Sequence, residues 1–249
     1  MTTQFGVVSK RINMEYSLAT FCFGERYHQQ TNRLIDSFEV LDEKPEIFVV
    51  TDSPEAITVK DYVRVKHVSE FNSKYSEFEK NYYDFDFSVK RFAVLFAFEN
   101  GYNKVILTDT DAMVNEALYT HESILRSFTQ NSIQGQVTYN FSDQVETHSM
   151  LGRRLLRYEE IFGVSYDKHE LDFMPEDCIQ YIDADDDKKF KFIETWNKCI
   201  EIKDEEKLHN IPAGNIDEMC FSALYNSMTV GNNSDRSVNK LIPHHDKWY

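Results

Sequence analysis

Between residues 16 and 109, short apolar runs alternate with stretches of helical spacing, and few folds accommodate that order. "YSLATFCF" (16–23) reads as a first strand. "ERYHQQTNRLIDSFEVL" (25–41) then has Tyr27, Leu34, Ile35, Phe38 and Leu41 on one helical side. "EIFVVTD" (46–52) and "YVRVKHV" (62–68) read as second and third strands, with "SP" closing the second. "FSVKRFAVLFAFENG" (87–101) predicts a helix stopped at Asn100-Gly101, and "KVILTD" (104–109) a fourth strand. Strands separated by helices are the pattern of an open α/β sheet. Such sheets bind ligands at the carboxyl ends of their strands.

That rule bears on "KVILTDTDAMV" (104–114), where a buried strand runs into Asp109 and Asp111. In extended backbone, residues two apart point the same way, so both carboxylates are expected to aim at one point. Two carboxylates sharing a site repel unless a cation or proton lies between them. A hard divalent ion, Mn²⁺ or Mg²⁺, with substrate phosphates resolves that repulsion. The alternative is a pair of solvated turn aspartates.

The second half is less regular. "GQVTYNF" (135–141) and "EDCIQYI" (176–182) predict strands, and 187–202 and 215–228 predict helices. "DADDDKKFKFIE" mimics a calcium loop through Asp183, Asp185, Asp187 and Glu194, but Lys188 stands where the sharp turn needs glycine. It reads instead as an acidic helix start. Arg153, Arg154 and Arg157 cluster in "GRRLLRYEE", either as a solvated helix face or as a patch for an anionic acceptor.

Composition narrows the classes. With 41% hydrophobic residues in 249, the chain has enough apolar material for one large α/β domain over 1–249. A net charge of -15 argues against a general nucleic-acid binder. Cys22, Cys178, Cys199 and Cys220 have no CxxC spacing and read as reduced, mostly buried thiols. No signal peptide and no membrane-length apolar run is visible, so a soluble cytoplasmic protein is expected.

Here the sequence resembles a family. "VILTDTDAMV" looks like the DxD segment of GT-A-fold glycosyltransferases, where two aspartates hold Mn²⁺ or Mg²⁺ against a nucleotide-sugar diphosphate. "ATFCFGERY", a helix and "FVVTDSP" resemble the opening of the blood-group A/B and α-galactosyl types. The resemblance implies a GT-A (Rossmann-like) fold with a central, mostly parallel mixed sheet flanked by helices. Residues 16–115 would be its nucleotide-binding half and 116–249 its acceptor-binding half. By resemblance, Thr20, Phe21, Cys22 and Tyr27 line the nucleotide pocket, and Lys90 and Arg91 match the basic position on the helix before the DxD strand. On the residues alone, Lys90 and Arg91 read as a snorkelling pair on a helix surface, a role expected of at least one of them. "NIDEMCFSALY" resembles the helix start bearing the acid beneath the reacting sugar, which implies Glu218, then Asp217, with Asp177 behind them. "PHHDKWY" resembles a shortened glycogenin-type tail, which implies His244 or His245 as a further metal ligand and Lys247 at the diphosphate. The glycine and proline of that tail are missing here.

The implied activity is transfer of a hexosyl or pentosyl group from a nucleotide-sugar, with a UDP-sugar as the expected donor. Expected acceptors are a glycan, a protein, or hydroxymethylated DNA in a phage-infected host; the expected source is bacterial or phage. The rivals are a nucleotidyltransferase and a non-catalytic sugar-binding module. "FCFGERYHQQ" has one glycine, too few for a nucleotidyltransferase loop.

Overall fold

The computed structural model describes residues 14–71, 89–114, 119–125, 128, 133–139, 174–184, 189, 193–194, 197 and 241–243. Its strands are β1 (Tyr16–Cys22), β2 (Glu46–Thr51), β3 (Val63–His67), β4 (Lys104–Thr108), β5 (Ala112–Val114), β6 (Ile133–Tyr139), β7 (Met174–Asp183) and β8 (Leu241–Pro243). Its α-helices are α1 (Glu25–Ser37), α2 (Lys90–Glu99) and α3 (His121–Leu125).

Six strands form one sheet in the order β3-β2-β1-β4-β7-β6. The first four are mutually parallel, β7 runs antiparallel to β4, and β6 antiparallel to β7. The protein is therefore an α/β chain with a central, mostly parallel mixed sheet flanked by helices. The chain winds outward through β1, β2 and β3, then returns to the other side of β1 to lay down β4. That reversal makes the β1–β4 boundary a topological switch point, and ligands of open α/β sheets bind beyond the carboxyl ends of the strands at such points.

The pleat sorts the strand residues onto two faces. Ala19, Phe21, Phe48, Val50, Val105 and Leu107 pack with Phe92, Ala93, Phe96 and Ala97 of α2. Leu18, Cys22, Ile47, Val49 and Ile106 pack with Leu34 and Ile35 of α1, and with Phe38 just beyond it. All seven residues of β1 are buried. Burial on both faces explains why the central strands read as continuous apolar runs rather than alternating ones. Each fully buried Leu, Ile or Phe adds about 1.5–3 kcal/mol, so both helices are firmly seated.

The expected helix over 25–41 ends as α at Ser37 and tightens into a 3₁₀ turn over Phe38–Val40. α2 ends as its sequence predicts. Gly101 takes φ 90, the Tyr102 N–H donates to the Ala97 carbonyl at 3.2 Å, and the Gly101 N–H donates to Phe98 at 3.0 Å. This is the Schellman stop that only a residue free to adopt positive φ closes cheaply.

β6 and β7 lie where strands were expected, displaced or extended by about two residues. β5 and β8 were not foreseen; they pair antiparallel as a separate two-stranded sheet. The expected helix over 215–228 lies outside the described residues. Of 187–202, only positions 189, 193–194 and 197 are described, all helical. Among the described residues, no helix is long and apolar enough to cross a membrane.

Candidate functional site at the switch point

Asp109 leaves the end of β4 on the face that Val105 and Leu107 present to α2. There its Oδ1 meets the Lys90 ammonium at 2.9 Å. The Lys90 side chain is 1% exposed and that of Asp109 is 32% exposed. Lys90 opens α2, where the helix dipole favours negative charge. A buried cation at that end is costly unless a carboxylate faces it. Its Nζ also lies 5.6 Å from the ring centre of Phe21 on β1. The two residues expected as a basic pair thus stand apart from a snorkelling surface role. Lys90 is fully buried, and Arg91 is buried with its guanidinium 4.3 Å from the Phe92 ring centre.

Thr110 turns the other way. It is buried, and its hydroxyl donates to Gln30 Oε1 on α1 at 2.8 Å. The backbone then turns, with the Ala112 N–H reaching the Asp109 carbonyl at 3.4 Å. The expected extended geometry is thereby corrected. Asp109 and Asp111 do not lie on a strand whose pleat aims them alike; they occupy two corners of a turn. Both carboxylates are partly exposed beyond the carboxyl edge of the sheet. Among the described residues, no group of three or more His, Cys, Asp or Glu side chains gathers as a metal cluster.

β5 begins directly after this turn, and Ala112 is in register with Pro243 of β8. His244 and His245 come directly after Pro243 in the sequence. They, Lys247, Asp217 and Glu218 lie outside the described residues. So do Arg153, Arg154 and Arg157. Asp177 falls within β7, whose backbone pairs with β6.

Next to β4, the end of β1 carries the other expected residues. Phe21 and Cys22 are buried, on opposite faces of the sheet. The Cys22 thiol sits in the α1-side core, and burial pushes it up to about 11. Its thiol is thus turned into the core, leaving only its backbone for a ligand. Thr20 is fully buried, and its hydroxyl finds no hydrogen-bond partner among the described residues. Tyr27 is partly exposed in the first turn of α1.

Gly24 makes the bend from β1 into α1 at φ 79. Its N–H donates to Asp52, at 3.1 Å to Oδ2 and 3.3 Å to Oδ1. His28 Nε2 lies 2.7 Å from Asp52 Oδ1 and 3.2 Å from the Thr51 hydroxyl. Burial works to raise the Asp52 carboxyl, but the His28 bond and charge and the Gly24 N–H outweigh it and hold it below its ordinary value. The clasp fixes the β1–α1 bend to the end of β2. Sequence reasoning missed Gln30, His28 and Asp52. Only Asp52 carried a signal, as an acid placed directly after a buried strand.

No protein-family model and no curated protein sequence matches the chain. Among solved structures, it is similar to the galactosyltransferase LgtC in complex with donor and acceptor sugar analogues. The identity is 12% and the TM-score 0.47, over 85% of this chain and 71% of that one. It is also similar to the bifunctional glycosyltransferase WbbM in its apo form, at 14% identity and a TM-score of 0.49. That match covers 86% of this chain and 38% of WbbM. Likeness at this level carries no argument about chemistry.

Proposed function

We propose that this chain is a divalent-metal-dependent glycosyltransferase of the GT-A type, moving a sugar from a nucleotide-sugar, with UDP as the carrier, to an acceptor hydroxyl. One observation carries the reading. Among the described residues, the only paired aspartates placed just after a parallel strand of this sheet emerge at its switch point, beside the end of β1. Ligands of open α/β sheets bind there. The resemblance of 104–114 to a DxD segment says which ligand chemistry to expect.

The donor set suits Mn²⁺ or Mg²⁺, since Asp109 and Asp111 offer two partly exposed carboxylates, and such ions bind through one or two carboxylates together with substrate phosphates. They would hold the ion, with His244 or His245 just beyond the strand paired to β5. When bound, it supplies positive charge against the diphosphate that leaves as the glycosidic bond breaks. Lys90 holds the Asp109 carboxylate in place through the 2.9 Å ion pair. Arg91 and Lys247 add positive charge on the nucleotide side. Thr20, Phe21, the Cys22 backbone and Tyr27 form the wall for base and ribose. Glu218, supported by Asp217 or Asp177, serves the anomeric carbon, either steadying its positive charge or taking the acceptor's proton. The acceptor is a glycan or hydroxymethylated DNA, and the second of these requires the Arg153–Arg157 cluster as its basic face.

The test is a screen of UDP-sugars for hydrolysis with Mn²⁺. Turnover of one donor, lost in EDTA and in both Asp109→Asn and Asp111→Asn, is expected. Full activity in EDTA would sink the metal claim. Donor binding with no turnover would make the chain a sugar-binding module.

A further inference from the structure

The aspartate turn is gripped from both faces of the sheet. α2 holds its first corner through Lys90 and Asp109, 2.9 Å apart. α1 holds the residue between the two aspartates through the 2.8 Å bond from the Thr110 hydroxyl to Gln30. α1 also grips the far end of β5, because the Val114 N–H donates to the Ser37 hydroxyl at 3.1 Å. That hydroxyl donates in turn to the Leu34 carbonyl at 2.7 Å, which fixes its rotor. Gln30, Leu34 and Ser37 fall on one helical stripe, at i, i+4 and i+7. At its other end, α1 is anchored to β2 by the Asp52 clasp on Gly24 and His28.

Thr110 and Gln30 are both buried, at 5% and 7% exposure. A buried hydroxyl bonded to a buried amide is expensive to break, because either partner alone is left desolvated and unmatched. The bond therefore fixes the backbone of the residue whose φ and ψ set the angle between the flanking carboxylates. Loss of a group that orients a metal ligand from behind typically costs about 10–100-fold in metal affinity.

We propose that Gln30 and Thr110 are positioning residues, which preset Asp109 and Asp111 on the turn for a single divalent cation. This rests on the metal role proposed above for the two aspartates. It adds that α1, eighty residues earlier in the chain, governs their affinity.

Mn²⁺ binding measured by the EPR signal of the free ion, with and without UDP, tests this without any activity assay. Thr110→Val keeps the shape and removes the hydroxyl; Gln30→Met removes the acceptor. Each should bind Mn²⁺ about tenfold more weakly than the unaltered chain, while Thr110→Ser, which keeps the hydroxyl, binds as the unaltered chain does. Circular dichroism checks the fold of each variant. Should Thr110→Val fail to fold, Gln30→Met carries the same comparison from the helix side. Unchanged Mn²⁺ affinity in the folded variants, even with a lowered melting temperature, overturns the proposal and leaves the metal reading intact. An unaltered chain that binds no Mn²⁺ overturns both.

Discussion

The ammonium of Lys90 and the carboxylate of Asp109 form an ion pair at 2.9 Å that is buried at one end and partly open at the other. The asymmetry makes the two residues unequal to replace. Without Lys90, the Asp109 carboxylate still reaches water. Without the Asp109 charge, the buried ammonium loses a close counter-ion.

Stability should follow that inequality. Asp109→Asn is expected to destabilise the fold by about 2 kcal/mol, a fall of about 4–8 °C in Tm for a chain of this size. Asp111→Asn should leave Tm nearly unchanged. Lys90→Met, which replaces a buried cation by an apolar chain of similar length, should keep Tm or raise it while lowering turnover. Thermal melts of the three variants decide this, and equal losses for the two aspartates would count against the ion pair.

The Asp52 clasp predicts a pH signature. A carboxyl held below its unfolded value contributes stability that is fully present above that value and fades as pH falls through the folded value. Asp52 has an ordinary value of 3.8 and is held below it. Urea unfolding of the native chain and of Asp52→Asn should differ most at about pH 5, between the ordinary carboxylate range and the ordinary imidazole range. The gap should close as pH drops below 3.8. A gap that ignores pH would show that the carboxylate's charge plays no part.

Cys22 should be inert in the folded protein. It is 1% exposed, with its thiol pushed up to about 11. At pH 8, roughly one molecule in a thousand carries the reactive thiolate there. Brief iodoacetamide treatment with peptide mapping should find Cys22 unmodified, and modified once urea is added. Rapid native labelling would contradict the buried placement.

Removing residues 240–249 should separate sheet from site. β8 contributes nothing to the six-stranded sheet, so far-UV circular dichroism and cooperative melting should persist. Mn²⁺-dependent donor hydrolysis should vanish with the strand that pairs with β5. His244→Ala and His245→Ala then show whether the loss lies in a ligand or in the strand. A truncated chain with undiminished turnover would rule out any role for the tail.

The first half of the fold was legible because its signals are local. Buried strands of five to seven residues, a helical stripe through Leu34 and Ile35, and the Asn100-Gly101 stop each announce themselves in a short window. β5 and β8 were not legible, since three residues carry no periodicity and their pairing joins distant parts of the chain. The place of Asp109 and Asp111 at a strand end was legible. Their geometry was not, because the turn depends on Ala112 bonding back to Asp109. Gln30 and His28 read as ordinary polar helix residues. Only tertiary structure shows that they are buried, and against what.

The short ladder between β5 and β8 also sets an order of assembly. The four parallel strands and their helices are complete once residue 108 has been made. The partner of β5 arrives only after the stretch from 115 to 240, which also carries β6 and β7 of the main sheet, so this pairing joins the most widely separated strands described. Its three paired residues make it the shortest pairing in the described structure. The β5–β8 ladder therefore closes late, after the parallel strands whose carboxyl ends precede it have been made.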